Sequence, residues 1–137
     1  MLSKKTQYAF KALIYLAQHQ DNDPVLIAEI SKKKNIPIKF LENILLELKK
    51  VGILESKKGK GGGYFFKSPP SSIPLAKVMR TVEGPIALLP CVSLNFYEKC
   101  KDCEEEVCGL NRVMIEVRDA SLKILEGKTV ADLAMLS

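Results

Sequence analysis

Residues 53–67, ILESKKGKGGGYFFK, constrain this chain more than any other segment. Two short apolar runs flank a tip of lysine and glycine, which predicts two strands joined by a tight hairpin. Gly59, Gly61, Gly62 and Gly63 admit backbone conformations with φ > 0 and let the main chain come close to a partner. Lys57, Lys58 and Lys60 make the same tip strongly cationic.

The residues before the hairpin read as three helices. Residues 5–19 are apolar over much of their surface (Tyr8, Ala9, Phe10, Ala12, Leu13, Leu16, Ala17), as a central packing helix requires. Asp21-Asn22-Asp23-Pro24 predicts a turn, and residues 26–33 a short helix with Ile27 and Ile30 on one face. Residues 34–36 form the next turn, and Pro37 suits the first position of a third helix. That helix, residues 37–51, carries Leu41, Ile44, Leu45 and Leu48 at i, i+3, i+4 and i+7, and Gly52 suits its C′ stop. A short helix, a tight turn and a second amphipathic helix make a helix–turn–helix, and the hairpin behind them supplies a wing.

Further along, residues 69–72 (Pro-Pro-Ser-Ser) predict a linker, Pro74 opens a helix over 75–82, and Gly84-Pro85 ends it. Residues 90–109 predict a cysteine-bearing loop. Residues 110–125 predict a long helix with Leu110, Val113, Val117, Ala120 and Ile124 at near-heptad spacing, followed by a tail. The expected fold is mainly α: a winged helix-turn-helix with a small β-hairpin wing and a long C-terminal dimerisation helix. Its expected divisions are a DNA-binding unit over 1–84, a sensor loop over 85–109, and a dimerisation helix with its tail over 110–137.

Charge is unevenly placed. Residues 1–67 hold 13 basic against 6 acidic side chains, and residues 68–137 hold 8 against 10. A basic half and a mildly acidic half predict a polyanion as partner of the first. No apolar run approaches the roughly 18 residues of a membrane span. The N-terminal MLSKKTQYAF lacks the order of a signal peptide, so the expected compartment is the cytoplasm, with no membrane partner.

Phosphate contact needs cations and free N–H groups, and Lys57, Lys58 and Lys60 with the amides of Gly61, Gly62 and Gly63 offer both. A nucleotide-phosphate loop would need a glycine run that opens a helix and ends in Lys-Ser/Thr; here Tyr64-Phe65-Phe66 follows, a strand signal. On the third helix Lys39, Glu42 and Asn43 are the expected groove contacts, Glu accepting from cytosine N4 and Asn pairing with adenine. Each could instead be a solvated position on a helix face. Tyr64 is expected to pack at the base of the wing.

All four cysteines, Cys91, Cys100, Cys103 and Cys108, fall within 18 residues, spaced C-x8-C-x2-C-x4-C. In a reducing compartment such crowding favours soft-metal ligation over structural disulfides. Thiolates suit an iron–sulfur cluster, with zinc the weaker alternative because only Cys100 and Cys103 form a C-x2-C pair. A thiol redox switch, or no ligand at all, are the remaining readings. A C-x2-C enzyme would sit beside a βαβ pattern, and none is visible.

LSKKTQYAFKALIYLA, IPIKFLENILLELKKVGILES, KGKGGGYFFKSPPSSI and the later CGL with its long helix together resemble the Rrf-type winged-helix regulators, the IscR/NsrR/CymR family. The resemblance runs over nearly the whole chain, and the GGGY wing is its most specific part. It implies a homodimeric bacterial transcription factor, often a repressor, on double-stranded DNA with a pseudo-palindromic operator. It places Lys39, Glu42 and Lys58 where relatives contact DNA. It also implies a [2Fe-2S] or [4Fe-4S] cluster in the cysteine loop, since several members hold one there. Cluster-binding relatives add to three cysteines a His just after the last one or an acidic residue in the first helix. Asn111 and Gln7 occupy those positions here, so a fourth thiol is the expected substitute. Cys91 and Cys108 match the outer family cysteines, and Cys100 and Cys103 compete for the middle one. A cluster-free regulator controlled by a protein partner or a metabolite is the alternative, as in CymR-like relatives.

Overall fold

A computed structural model describes residues 2–19, 24–101 and 104–137, apart from the side chain of Glu105. The elements run α1 (Lys4–Gln18), α2 (Ile27–Lys34), α3 (Ile38–Lys50), β1 (Leu54–Lys57), β2 (Gly63–Phe66), α4 (Leu75–Val82), α5 (Gly109–Gly127) and α6 (Val130–Leu136). Short 3-10 turns lie at Pro70–Ser72, Pro90–Val92 and Glu105–Val107. The predicted mainly α winged helix-turn-helix with a C-terminal helix is the observed architecture. The turn expected over 21–24 falls mostly outside the described residues.

The core is the intersection of two helical faces. Ala9, Ala12 and Leu13 of α1 meet Leu41, Ile44, Leu45 and Leu48 of α3, all at 0% exposure. Ile30, Ile53, Leu54, Val78 and Val130 close the same cluster. Truncating one such leucine to alanine removes roughly 2–5 kcal/mol, so α3 is held rigidly by its apolar stripe and shows its polar side to solvent.

The helix–turn–helix corner is set at Asn35, which ends α2 in the left-handed conformation at φ 53°. Ile36 N donates to Ser31 O at 3.0 Å, and Ser31 Oγ donates to Ile36 O at 2.6 Å, so the turn's exposed polar groups are satisfied. Pro37 precedes α3 instead of opening it. Its ψ of 127° is extended, and its carbonyl becomes the helix's first acceptor, from Leu41 N at 2.9 Å. Proline fixes φ but leaves ψ free, which is why the expected position is off by one.

Two elements depart from expectation. The 69–72 segment is a 3-10 turn with Pro70 buried, and not an open linker. Beyond α5 the chain does not trail away. Thr129 and Asp132 form a reciprocal capping box that starts α6. Leu75 N donates to Lys128 O at 2.9 Å and Val130 N to Ile73 O at 3.0 Å, returning the chain to the start of α4. Gln18 Nε2 of α1 donates to Ala134 O of α6 at 3.2 Å.

Candidate nucleic-acid interface and cysteine loop

Lys39, Glu42 and Asn43 all lie on the exposed side of α3. Lys39 Nζ stands 3.6 Å from Glu42 Oε2, with both side chains largely in solvent, so the pair restrains neither strongly. Asn43 lines a shallow depression with Lys5, Phe40, Glu47 and Lys50. Lys5 Nζ donates to Glu47 Oε1 at 2.8 Å and ties α1 to α3 beneath it.

The wing is an antiparallel pair with Leu54 opposite Phe66 and Lys57 opposite Gly63. A third segment joins it: Val25 N donates to Tyr64 O at 2.9 Å and Tyr64 N to Val25 O at 2.8 Å. The glycines meet different demands. Gly61 sits at the tip at φ 76° with open space around it. Gly63, at φ 142°, lies so close to the Val25 carbonyl that any Cβ would collide with it. Gly62 is buried, and its N–H closes the turn on Gly59 O at 3.0 Å. That amide is therefore already satisfied, and Lys57, Lys58 and Lys60, all exposed, carry the outward chemistry of the tip.

Wing and helix are adjacent. Tyr64 is half-buried against the core, as expected of a packing residue at the wing's base. Burial, and then the negative charge of Glu42, push its phenol above the ordinary value. Lys49 Nζ donates to Ser56 Oγ at 2.7 Å and fixes α3 to β1.

One group on this side escaped the sequence reading. Lys4 and Lys11 of α1 stand 6.0 and 5.9 Å from the Tyr8 ring centre, and Phe40 of α3 meets that ring edge-on at 5.6 Å. The i, i+4, i+7 spacing of Lys4, Tyr8 and Lys11 was visible, but only the packing of Phe40 shows that this stripe borders α3.

In the loop, Cys91 lies in the Pro90–Val92 turn, Cys108 is the N-cap of α5, and both are half-buried, as is Cys100. Cys103 lies outside the described residues. Asn111 N donates to Cys108 Sγ at 3.4 Å and Asn111 Nδ2 to Cys91 Sγ at 3.4 Å, so the two outer cysteines share one neighbour. Thiol chemistry fits a soft metal or iron–sulfur group. Among the described residues, however, no three potential ligands converge. Gln7 donates to Leu2 O at 3.1 Å. His19 stacks on Tyr15 with ring centres 4.1 Å apart.

Comparison with known proteins agrees with this arrangement. The family model for Rrf2, described as an iron-dependent transcriptional regulator, matches residues 2–135. An rrf2-like HTH-type transcriptional regulator of Rhodobacter capsulatus is 36% identical over 97% of this chain and 91% of its own length. CymR, the global cysteine regulator of B. subtilis, superposes with a TM-score of 0.82 at 28% identity, over 100% of this chain and 98% of that one. T. potens IscR shares the fold, with a TM-score of 0.78 at 23% identity over 98% of this chain and 86% of its own. These relatives are regulators and not enzymes, which removes the thiol-redox enzyme reading of Cys100 and Cys103. The protein belongs to the Rrf2 family of winged-helix transcriptional regulators.

Proposed function

We propose that the protein is a homodimeric, cytoplasmic repressor that grips a pseudo-palindromic operator with α3 and the wing, and that the state of the cysteine loop tunes its affinity. The observation that carries the DNA reading is the tie of α3 to the wing, Lys49 Nζ to Ser56 Oγ at 2.7 Å, with Lys57, Lys58 and Lys60 exposed on the same hairpin. Lys39, Glu42 and Asn43 enter the major groove, and the three wing lysines with the tip glycine Gly61 hold the backbone. Gly62 and Gly63 serve this contact by shaping the hairpin. Lys4 and Lys11 extend the cationic border along α1.

The dimer reading rests on α5. Leu110, Val113, Val117 and Ile124 are 57%, 51%, 36% and 61% exposed, an apolar seam at near-heptad spacing on the open side of α5. A second copy covers that seam by an isologous contact, which sets two reading heads on the two half-sites.

Cys91, Cys100, Cys103 and Cys108 are the residues that would hold an iron–sulfur cluster, with zinc as the weaker occupant. A cluster, when bound, supplies one-electron redox chemistry. Ordering of the loop at the start of α5 biases the heads, and a few kcal/mol of differential affinity suffices to switch operator occupancy. Purification without oxygen, with visible spectroscopy and iron and zinc assays, tests this directly. A brown protein whose operator affinity changes on bleaching is the expected result; a colourless one with four titratable thiols sinks it.

A cleft of about 320 Å³ favours a second reading, control by a small metabolite. It lies between α4, the segment after it and α5, and is lined by Met79, Ile86, Leu88, Val117, Arg118 and Leu125. Widening of the operator affinity range by a metabolite on metal-free protein would favour this reading over the cluster.

A further inference from the structure

Asn111 is buried, at 7% exposure, in the first turn of α5, whose neighbouring residues Leu110 and Arg112 are exposed. A buried carboxamide requires partners for its donors, and two of this residue's donors go to sulfur. Its backbone N–H meets Cys108 Sγ and its side-chain Nδ2 meets Cys91 Sγ, each at 3.4 Å, although the two cysteines are separated by sixteen residues of loop. Seven residues on, along the same stripe of α5, Arg118 Nη1 donates to Val92 O at 2.9 Å. The Pro90–Val92 turn is thus fastened to α5 at two points, and Val92 and Ser93, at 2% and 5% exposure, pack beneath it.

Bringing two thiolates together is opposed by their like charge. An N–H donated to each sulfur offsets that repulsion and fixes where the sulfurs stand. Both donors here come from one residue, so the spacing of the pair is set by the rigid first turn of α5 and not by the long loop. We propose that Asn111 is a positioning residue that pre-pairs Cys91 and Cys108 into a two-sulfur port for a thiophilic centre. This deepens the reading of the loop as a sensor and rests on it. The port takes a soft cation or any trivalent centre that bonds two sulfurs.

The full-length Cys100→Ser, Cys103→Ser chain, which keeps only the outer pair, isolates the port. Phenylarsine oxide condenses with two thiols, forming two As–S bonds and releasing one water. One arsenical per chain, with both thiols then closed to alkylation, is the expected mass spectrum. In that background N111L weakens the arsenical affinity at least tenfold while the melting midpoint stays within a few degrees. N111D, equal in size to Asn and without a side-chain N–H, gives the same loss if N111L does not fold. A purely structural role would shift the midpoint and leave the affinity of folded protein unchanged. Unchanged affinity in the folded variants, or two arsenicals each on a single sulfur, overturns the proposal. Anaerobic reconstitution of the unmutated chain reports separately on the cluster: a colourless product ends the cluster reading while the arsenical result still decides the pairing.

Discussion

Glu83, the last residue of α4's cap, accepts hydrogen bonds from Ser3 and Thr6, which open α1 eighty and seventy-seven residues earlier. Ser3 Oγ donates to Glu83 Oε2 at 2.6 Å and Ser3 N to Oε1 at 3.2 Å, while Thr6 is wholly buried beside them. One carboxylate therefore caps the first helix and joins it to the helix that leads to the cysteine loop.

The Ser3 hydroxyl first, and then that of Thr6, hold the Glu83 carboxyl below its ordinary value. A folded-state pKa lowered in this way contributes stability above the unfolded value near 4.5, and the contribution is lost as pH falls through the lower folded value. Glu83→Gln is expected to cost roughly 1–2 kcal/mol at neutral pH, the scale of hydrogen bonds to a partly exposed charge. The cost should shrink as the pH falls below 4.5. Urea unfolding of both proteins from pH 7 to 3 measures it, and parallel pH curves would contradict the assignment.

Tyr15 supplies the alkaline counterpart. Its hydroxyl donates to Glu29 Oε2. That hydrogen bond, then burial, then the negative charge of Glu29 push its pKa up to about 12. The neutral phenol is the form favoured by folding, so its stability contribution is complete below pH 10 and is lost as pH rises towards 12. Ultraviolet titration of tyrosinate should show a group ionising near pH 12 that disappears in Tyr15→Phe. Glu29 is exposed and stays hydrated in that variant, so the cost is about 1 kcal/mol.

Much of this was legible because periodicity and turn chemistry act locally. The stripe Leu41, Ile44, Leu45, Leu48 could only be a buried helical face, and every member is fully buried. The hairpin followed from its glycines and flanking strands. What escaped notice depends on distant partners. Val25 joins the wing only because Tyr64 comes back to it. Residues 130–136 are too short to announce a helix by periodicity, although Thr-x-x-Asp at 129–132 is a cap signal in plain view. Asn111 read as a missing ligand, and its contacts with two sulfurs needed the folded loop.

The glycine run separates conformational need from close approach. Gly61→Ala places a Cβ in open space but at positive φ, costing roughly 1 kcal/mol. Gly63→Ala adds a collision with the Val25 carbonyl and should cost more than ~2 kcal/mol by unpairing that segment from the wing. Denaturant midpoints should rank wild type, then Gly61→Ala, then Gly63→Ala. The reverse order would mean the wing does not lean on Val25.

Changing Lys58 and Lys60 together to Ala should weaken binding to every duplex alike and reduce the salt slope by about 2, one for each lost phosphate contact. Both side chains are solvated, so the melting midpoint should not move. Fluorescence anisotropy between low and high salt reads the slope, and an unchanged slope removes the wing from the interface. Glu42→Ala serves as the contrast. Its carboxylate lies on the exposed side of α3, where it can accept a base donor but repels phosphate. Its removal should strengthen binding to random duplex while narrowing the preference for the operator. A loss of affinity that is equal on all duplexes would instead make Glu42 a scaffold for Lys39.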